Sequence, residues 1–251
     1  MGEGTNLTEA RMPPGAATVA ESVPLHPMQR MAAAHLLESQ RIMAPVTIFG
    51  EAEADGLVAF HQEIAERRAD GPAVSVTHIL LAILAATLSR HPRLNAMRLG
   101  HSLEVYADIN IGLAMALADG NLIVPVIAGA DRLSLGEIAT AAADLRARAE
   151  AGKLALADVR GGTFTLTNAG MVPTVSWTTP IIPIGQAAIL GIGNLRRAPV
   201  VRGDTVVVGS ALPLSLTFDH TALNGYPASE FLADLAAGIA DPRASGARLE
   251  T

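Results

Sequence analysis

Leu212-Pro213-Leu214-Ser215-Leu216-Thr217-Phe218-Asp219-His220-Thr221-Ala222-Leu223-Asn224-Gly225 is the stretch on which fold and chemistry turn. The run from Leu212 to Phe218 is apolar and strand-like, Asp219 stands at its end, and His220 follows where the chain has to turn. An imidazole at a strand end has a fixed backbone and a ring that can face a cleft, which suits proton abstraction near neutral pH. Gly225 is expected to let the chain turn sharply. A histidine taken alone is more often a satisfied core residue, but the surroundings of His220 favour a base.

Outward from this stretch, the chain alternates between strand-like and helical segments. Pro27 opens a helix to about Gln40, with Met28, Met31, Ala32, His35 and Leu36 along one apolar face. Val46 to Ala54 reads as a strand, and Asp55 is expected to cap a helix to about Arg68. Val76 to Arg90 reads as a buried helix closed by His91-Pro92. Strand-like runs follow at Leu103 to Tyr106, Ile109 to Leu117 and Leu122 to Ile127, with Asp119-Gly120 as a turn. Ser134 and Glu137 form a capping box for a helix to about Ala151. Further strands are expected at Thr163 to Thr167, Ala187 to Ile192, Thr205 to Val208 and Leu212 to Phe218, before a last helix over Pro227 to Ile239. Strands clustered between helices without strict alternation, and no internal repeat, predict an α+β fold with a mixed sheet. Residues 1–22, with Gly4, Pro13, Pro14 and Gly15, read as a flexible arm, and 23–251 as a single domain.

Composition narrows the function classes. The chain has 251 residues, of which 50% are hydrophobic and 17% charged, as in a well-buried globular protein. A net charge of −6, no Lys/Arg run and 3% aromatics argue against nucleic-acid binding. No cysteine is present, so there is no disulfide, thiolate metal site or cysteine nucleophile, and a reducing cytoplasm is the expected location. The longest uncharged stretch, Gly71 to Ser89, contains Pro72 and is read as a buried helix, not a membrane span. The seven histidines show no pair at metal-ligand spacing, so no metal is expected. Gly191-Ile192-Gly193 lacks the third glycine of a dinucleotide fingerprint, and neither a phosphate-binding Gly-Lys-Ser/Thr loop nor a Gly-x-Ser-x-Gly elbow occurs. The polar cluster Gly161 to Gly170 is different. A strand ending in Thr167-Asn168-Ala169-Gly170 places a hydroxyl at its rim, where Thr167 would donate to a developing oxyanion.

With His220 and Thr167 in view, the chain from Val23 to Asp241 resembles the catalytic domain of the dihydrolipoyl acyltransferases of 2-oxo acid dehydrogenase complexes, whose fold is shared with chloramphenicol acetyltransferase. The matching stretches are Pro24 to Arg30, Val74 to Asn95, Asn110-Ile111-Gly112, Leu122 to Ile127, Gly161 to Gly170, Thr179 to Gly193 and Leu214 to Gly225. The resemblance implies a two-layer fold with a mixed sheet flanked by helices. It implies His220 as the general base, Thr167 as the oxyanion donor, Asn224 as a positioning group where most members have Asp, and Asp219 as a structural acid. Thr221 departs from the usual Arg, so any ion pair anchored there is absent. The family's site lies in a channel between subunits of a trimer, entered by coenzyme A from one side and the acceptor from the other. Ser176 and Trp177 are the residues offered for coenzyme A.

About 22 residues precede the resembling core, and no lipoyl lysine can be placed in them. The expected activity is therefore that of a free-standing homotrimeric acyltransferase. It would use acetyl-CoA as donor and a small-molecule or carrier-bound acceptor, and would acetylate a hydroxyl, as in tetronate polyketide pathways. The alternatives are the core of a 2-oxo acid dehydrogenase complex, acting on dihydrolipoamide, and a non-catalytic scaffold subunit.

Overall fold

The computed structural model of the chain describes Thr18 and residues 20–67, 72–117 and 122–250. Most of the expected arm over residues 1–22, and the expected Asp119-Gly120 turn, lie outside the described residues. The helices are α1 (Pro27–Ile42), α2 (Asp55–Arg67), α3 (Val76–Arg90), α4 (Leu135–Glu150) and α5 (Gly225–Ala240). The first strands are β1 (Pro45–Glu53), β2 (Ala96–Leu99), β3 (Ser102–Val105), β4 (Ile111–Leu113), β5 (Met115–Ala116), β6 (Leu122–Ile123) and β7 (Val126–Ile127). β8 (Phe164–Asn168), β9 (Ala188–Ile192), β10 (Arg196–Arg202) and β11 (Thr205–Asp219) complete the set.

The main sheet runs β1-β11-β9-β8-β4-β7, with β10 on the first part of β11. β8 is parallel to both β4 and β9, and the other pairs are antiparallel, so the sheet is mixed as expected. Where two strands were expected, at Thr205 to Val208 and Leu212 to Phe218, β11 is a single strand of 15 residues. Gly209 does not interrupt it. A Cβ there would come within 2.6 Å of Val200 Cγ2, so the glycine admits close packing within the β10–β11 hairpin.

Alternation along the strands divides the sheet into two chemical faces. Leu212, Leu214, Leu216 and Phe218 of β11, Leu190 and Ile192 of β9, and Phe164 and Leu166 of β8 are buried in the core beneath the helices. Phe164 meets Phe231 of α5 at 6.0 Å between ring centroids. Each such side chain stabilises the fold by about 1.5–3 kcal/mol relative to exposure. The opposite face is hydroxyl-rich: Thr47, Thr165, Thr167, Ser215 and Thr217 share it, and Thr47 Oγ1 lies 2.8 Å from Thr217 Oγ1.

α3 is enclosed by α2, α4 and α5, which accounts for its apolar sequence. Ser75 and His78 form its capping box: Ser75 Oγ accepts from the His78 N–H at 3.3 Å, and His78 Nδ1 accepts from the Ser75 N–H at 3.2 Å. The expected Ser134–Glu137 box at the start of α4 is also formed. Among the described residues no helix is long and apolar enough to cross a membrane.

Three local expectations change. Asp55 is the first residue of α2, and its carboxylate accepts from the Ser210 N–H at 2.8 Å and Arg202 Nη2 at 2.7 Å, tying the helix to the β10–β11 hairpin. Met31 and Leu36 on the expected apolar face of α1 are exposed, and it is Ser39 that is buried, donating to the Ile182 carbonyl at 2.6 Å. Gly225 does not make the turn after β11. It opens α5, while the N–H groups of Ala222 and Leu223 close the turn on the Asp219 carbonyl.

Candidate active site

β11 carries the chain to Asp219, a residue only 3% exposed. A buried carboxylate needs donors. Asp219 Oδ1 accepts from the Ala44 N–H at 3.0 Å and the Thr221 N–H at 3.0 Å, and the Thr221 hydroxyl lies 2.8 Å from each oxygen. The next residue donates its own N–H to the Ala44 carbonyl at 2.9 Å. His220 is thus held at the backbone on both sides of the turn, as expected of an imidazole at a strand end. Its ring is exposed, makes no hydrogen bond among the described residues, and lies against Phe218 at 5.7 Å between centroids.

Asn224 is the N-cap of α5 with φ −86° and ψ 162°, yet its side chain makes no capping bond. An N-cap amide normally satisfies a free N–H of the first turn. Here it is exposed one helical turn after His220, available for another partner.

Thr167 stands near the end of β8 on the hydroxyl face. Its neighbours are satisfied: Thr165 Oγ1 donates to Gln186 Oε1 at 2.8 Å, Thr163 Oγ1 to the Asn110 carbonyl at 3.2 Å, and Asn168 Nδ2 to Thr77 Oγ1 at 3.0 Å. The Thr167 hydroxyl has no such partner among the described residues and is only partly buried. Among the described residues it is an unpartnered donor at the strand rim.

The registers separate the two groups. Thr167 pairs with Gly191, and Gly191 with Ser215, five residues before His220 on β11. With about 3.4 Å per residue along β11 and about 4.8 Å per strand spacing, the two Cα atoms are about 20 Å apart in one chain. One chain therefore does not bring its base and its oxyanion donor together.

Ser176 and Trp177 sit on the Thr167 side of the sheet. The segment carrying them lies against β11 and β1: Thr178 N–H donates to Ser215 Oγ at 3.2 Å, and Trp177 Nε1 to the Gly50 carbonyl at 3.3 Å. A Cβ on Gly193 would come within 1.8 Å of the Ser176 carbonyl oxygen. Gly191 and Gly193 thus serve close approach of this segment. Phe49, Met171, Val172 and Trp177 form exposed apolar surface around it.

Arg98 carries no motif in the sequence and was not foreseen. It reaches from β2 to the His220 turn: Nε donates to Thr221 Oγ1 at 2.7 Å and lies 3.9 Å from Asp219 Oδ2. Thr221 is neutral and anchors no ion pair itself; the cation that faces Asp219 comes instead from β2. Among the described residues no group of three or more His, Cys, Asp or Glu side chains is placed to hold a metal ion.

A free imidazole, a free amide one turn on and a free hydroxyl are the parts for acyl transfer from an activated ester, with a base for the acceptor and a donor for the oxyanion. Residues 17–246 match the model of the 2-oxoacid dehydrogenases acyltransferase catalytic domain. The dihydrolipoyllysine-residue acetyltransferase component of the acetoin cleaving system of Bacillus subtilis is 34% identical over 228 residues, which are 90% of this chain and 56% of that protein. The succinyltransferase component of the Pseudomonas aeruginosa 2-oxoglutarate dehydrogenase complex is 30% identical over 89% of this chain and 55% of its own length. The chain spans about half the length of these curated relatives. A crystal structure of the Azotobacter vinelandii dihydrolipoamide acetyltransferase, solved to study a serine, a histidine and an asparagine four positions after it in the catalytic mechanism, superposes with a TM-score of 0.86. It is 31% identical and covers 93% of this chain and 99% of that one. With the fold, the match of 17–246 and these identities in agreement, the chain belongs to the 2-oxoacid dehydrogenase acyltransferase catalytic-domain family.

Proposed function

We propose that this chain transfers an acyl group between coenzyme A and the thiol of a dihydrolipoyl group, at a site formed by His220 of one copy and Thr167 of its neighbour. The dihydrolipoyl acceptor replaces the alcohol expected from the sequence, because both relatives above are named as dihydrolipoyllysine-residue transferases. The observation that carries the reading is the unpartnered imidazole of His220, followed four residues later by an Asn224 that declines its capping bond. The same residue types at the same spacing are the ones studied in the A. vinelandii enzyme.

His220 takes the proton from the acceptor thiol, and the thiolate attacks the thioester carbonyl. The oxyanion of the tetrahedral intermediate receives a hydrogen bond from Thr167 Oγ1. Collapse breaks the bond to coenzyme A, whose sulfur takes the proton back from the imidazolium, so no net proton is consumed. Asn224 orients the ring or the acceptor and moves no proton. A thioester is already activated, so no covalent enzyme intermediate is required.

The separation of about 20 Å within one chain supports a closed ring of copies, in which a heterologous contact sets one chain's His220 end against another's Thr167 end. A homotrimer is the smallest ring the resemblance implies. The exposed apolar residues Phe49, Met171, Val172 and Trp177 fit the burial that such a contact needs. Ser176 and Trp177 would then border the coenzyme A side of the channel.

The test is incubation with acetyl-CoA and dihydrolipoamide, with S-acetyldihydrolipoamide and free coenzyme A measured together. Stoichiometric formation of both is expected. Coenzyme A release with an alcohol acceptor but not with dihydrolipoamide would overturn the acceptor assignment, and no release with any acceptor would leave a scaffold subunit.

A further inference from the structure

Asp219 and His220 are adjacent, and the turn that presents the imidazole is built on the Asp219 side chain. Among the described residues the nearest cation to that buried carboxylate is Arg98, and its donors reach three segments. Nε bonds Thr221 Oγ1 at 2.7 Å, Nη2 bonds the Ile42 carbonyl at the end of α1 at 3.1 Å, and Nη1 bonds the Gly100 carbonyl in its own β2–β3 hairpin at 3.0 Å. The Thr221 hydroxyl accepts from Arg98 while it faces both Asp219 oxygens at 2.8 Å. A relay from guanidinium through hydroxyl to carboxylate therefore joins the two residues that flank His220.

We propose that Arg98 is a positioning residue for acyl transfer: it holds the Asp219–Thr221 turn, and through it the direction of the His220 ring. The proposal rests on the role assigned to His220 above. Thr221 is neutral and cannot offset the buried carboxylate by itself, whereas a guanidinium supplies both charge and a planar fork of donors. The Ile42 contact couples the turn to the segment whose Ala44 backbone bonds both Asp219 and His220. On the outer side of Arg98 lies an open cavity of about 540 Å³ bordered by Gly100, His101, Ser102, Leu103, Thr221 and Ala222. Without Arg98, water from this cavity would reach the carboxylate and compete for the turn's hydrogen bonds.

The same cavity provides a rescue. An arginine at position 221 has room there and would stand two residues from Asp219, so the charge can be moved from β2 to the turn itself. Arg98→Ala should lower kcat for acetyl transfer to dihydrolipoamide about tenfold to a hundredfold, the weight of hydrogen bonds to a charged group, with KM for acetyl-CoA little changed. Amide hydrogen exchange of Ala44, His220 and Thr221 should quicken in that variant. The double variant Arg98→Ala/Thr221→Arg should recover both kcat and amide protection, and Arg98→Lys should fall between.

Unchanged turnover and exchange in Arg98→Ala would overturn the proposal. So would quickened exchange at unchanged turnover, since Arg98 would then be structural only, and so would a double variant no better than the single one. Exchange is read without any substrate. If the wild-type protein transferred no acyl group, the functional reading would fail, while normal Ala44, His220 and Thr221 protection in Arg98→Ala would separately refute the clamp.

Discussion

Replacing Thr167 by Val removes one hydroxyl and almost nothing else. Val is β-branched, close in volume and at home on a strand. The lost hydroxyl has no partner among the described residues, so no buried group in the chain is orphaned by the change. Stability should move by less than about 0.5 kcal/mol, as for a substitution away from any packed or bonded feature. The rate should respond far more strongly. Loss of one oxyanion donor costs about 10² to 10³ in kcat, or about 2.7–4 kcal/mol of transition-state stabilisation, and leaves ground-state binding nearly untouched. Two residues earlier, Thr165→Val provides the opposite case. Its hydroxyl donates to the buried Gln186 Oε1, so the substitution leaves an acceptor unpaired and should cost about 1–3 kcal/mol of stability without a comparable loss of kcat. Steady-state kinetics with acetyl-CoA and dihydrolipoamide, together with urea unfolding of both variants, give the comparison. A Thr167→Val protein with unchanged kcat, or one whose rate loss is matched by its loss of stability, would refute the oxyanion assignment.

Asn224→Ala should be nearly neutral for stability, below the ~1 kcal/mol usual for an N-cap, because no capping bond is there to lose. Its kcat should nonetheless fall about tenfold to a hundredfold, and thermal unfolding beside turnover checks both halves. Hydrogen bonds from the Ser210 side chain and then Arg202, with the Ser210 N–H adding to them, hold the Asp55 carboxyl below its ordinary 3.8, so the stability it contributes is present above that value and lost as pH falls through the lower folded-state value. Asp55→Asn should therefore be less stable than wild type at pH 7, with urea midpoints that converge in acid; a gap that stays constant would contradict the linkage. Gly193→Ala should lose about 2 kcal/mol or more of stability, since its Cβ would meet the Ser176 carbonyl oxygen at 1.8 Å, and coenzyme A affinity should weaken with it in calorimetry.

Much of the framework was legible where local chemistry and burial agreed. The Ser134–Glu137 box, the apolar Val76 to Arg90 segment and the run ending at Asp219 each combine a start or stop signal with a single pattern, and all three fold as expected. β10 was missed because Arg196-Arg197-Ala198-Pro199 reads as a loop; the strand survives at an edge, where Pro199 costs no central ladder bond. β2 was missed because its four residues carry no alternation long enough to register. Of the site, His220, Thr167 and Asn224 were legible as residue types in context. The separation of Thr167 from His220 within one chain was not, because it depends on pairing register across β8, β9 and β11. Arg98 left no local signal: its role arises from a hairpin more than a hundred residues away in sequence from the turn it meets.

Subunit complementation tests the shared site most directly. His220→Ala and Thr167→Val chains, each nearly inactive alone, are co-assembled in equal amounts and assayed for acetyl transfer to dihydrolipoamide. If His220 of one copy works with Thr167 of its neighbour, random assembly restores both groups at about a quarter of the sites, so the mixture should regain about a quarter of wild-type kcat. A mixture no more active than the mean of the two variants would place both groups in one chain's site and contradict the account.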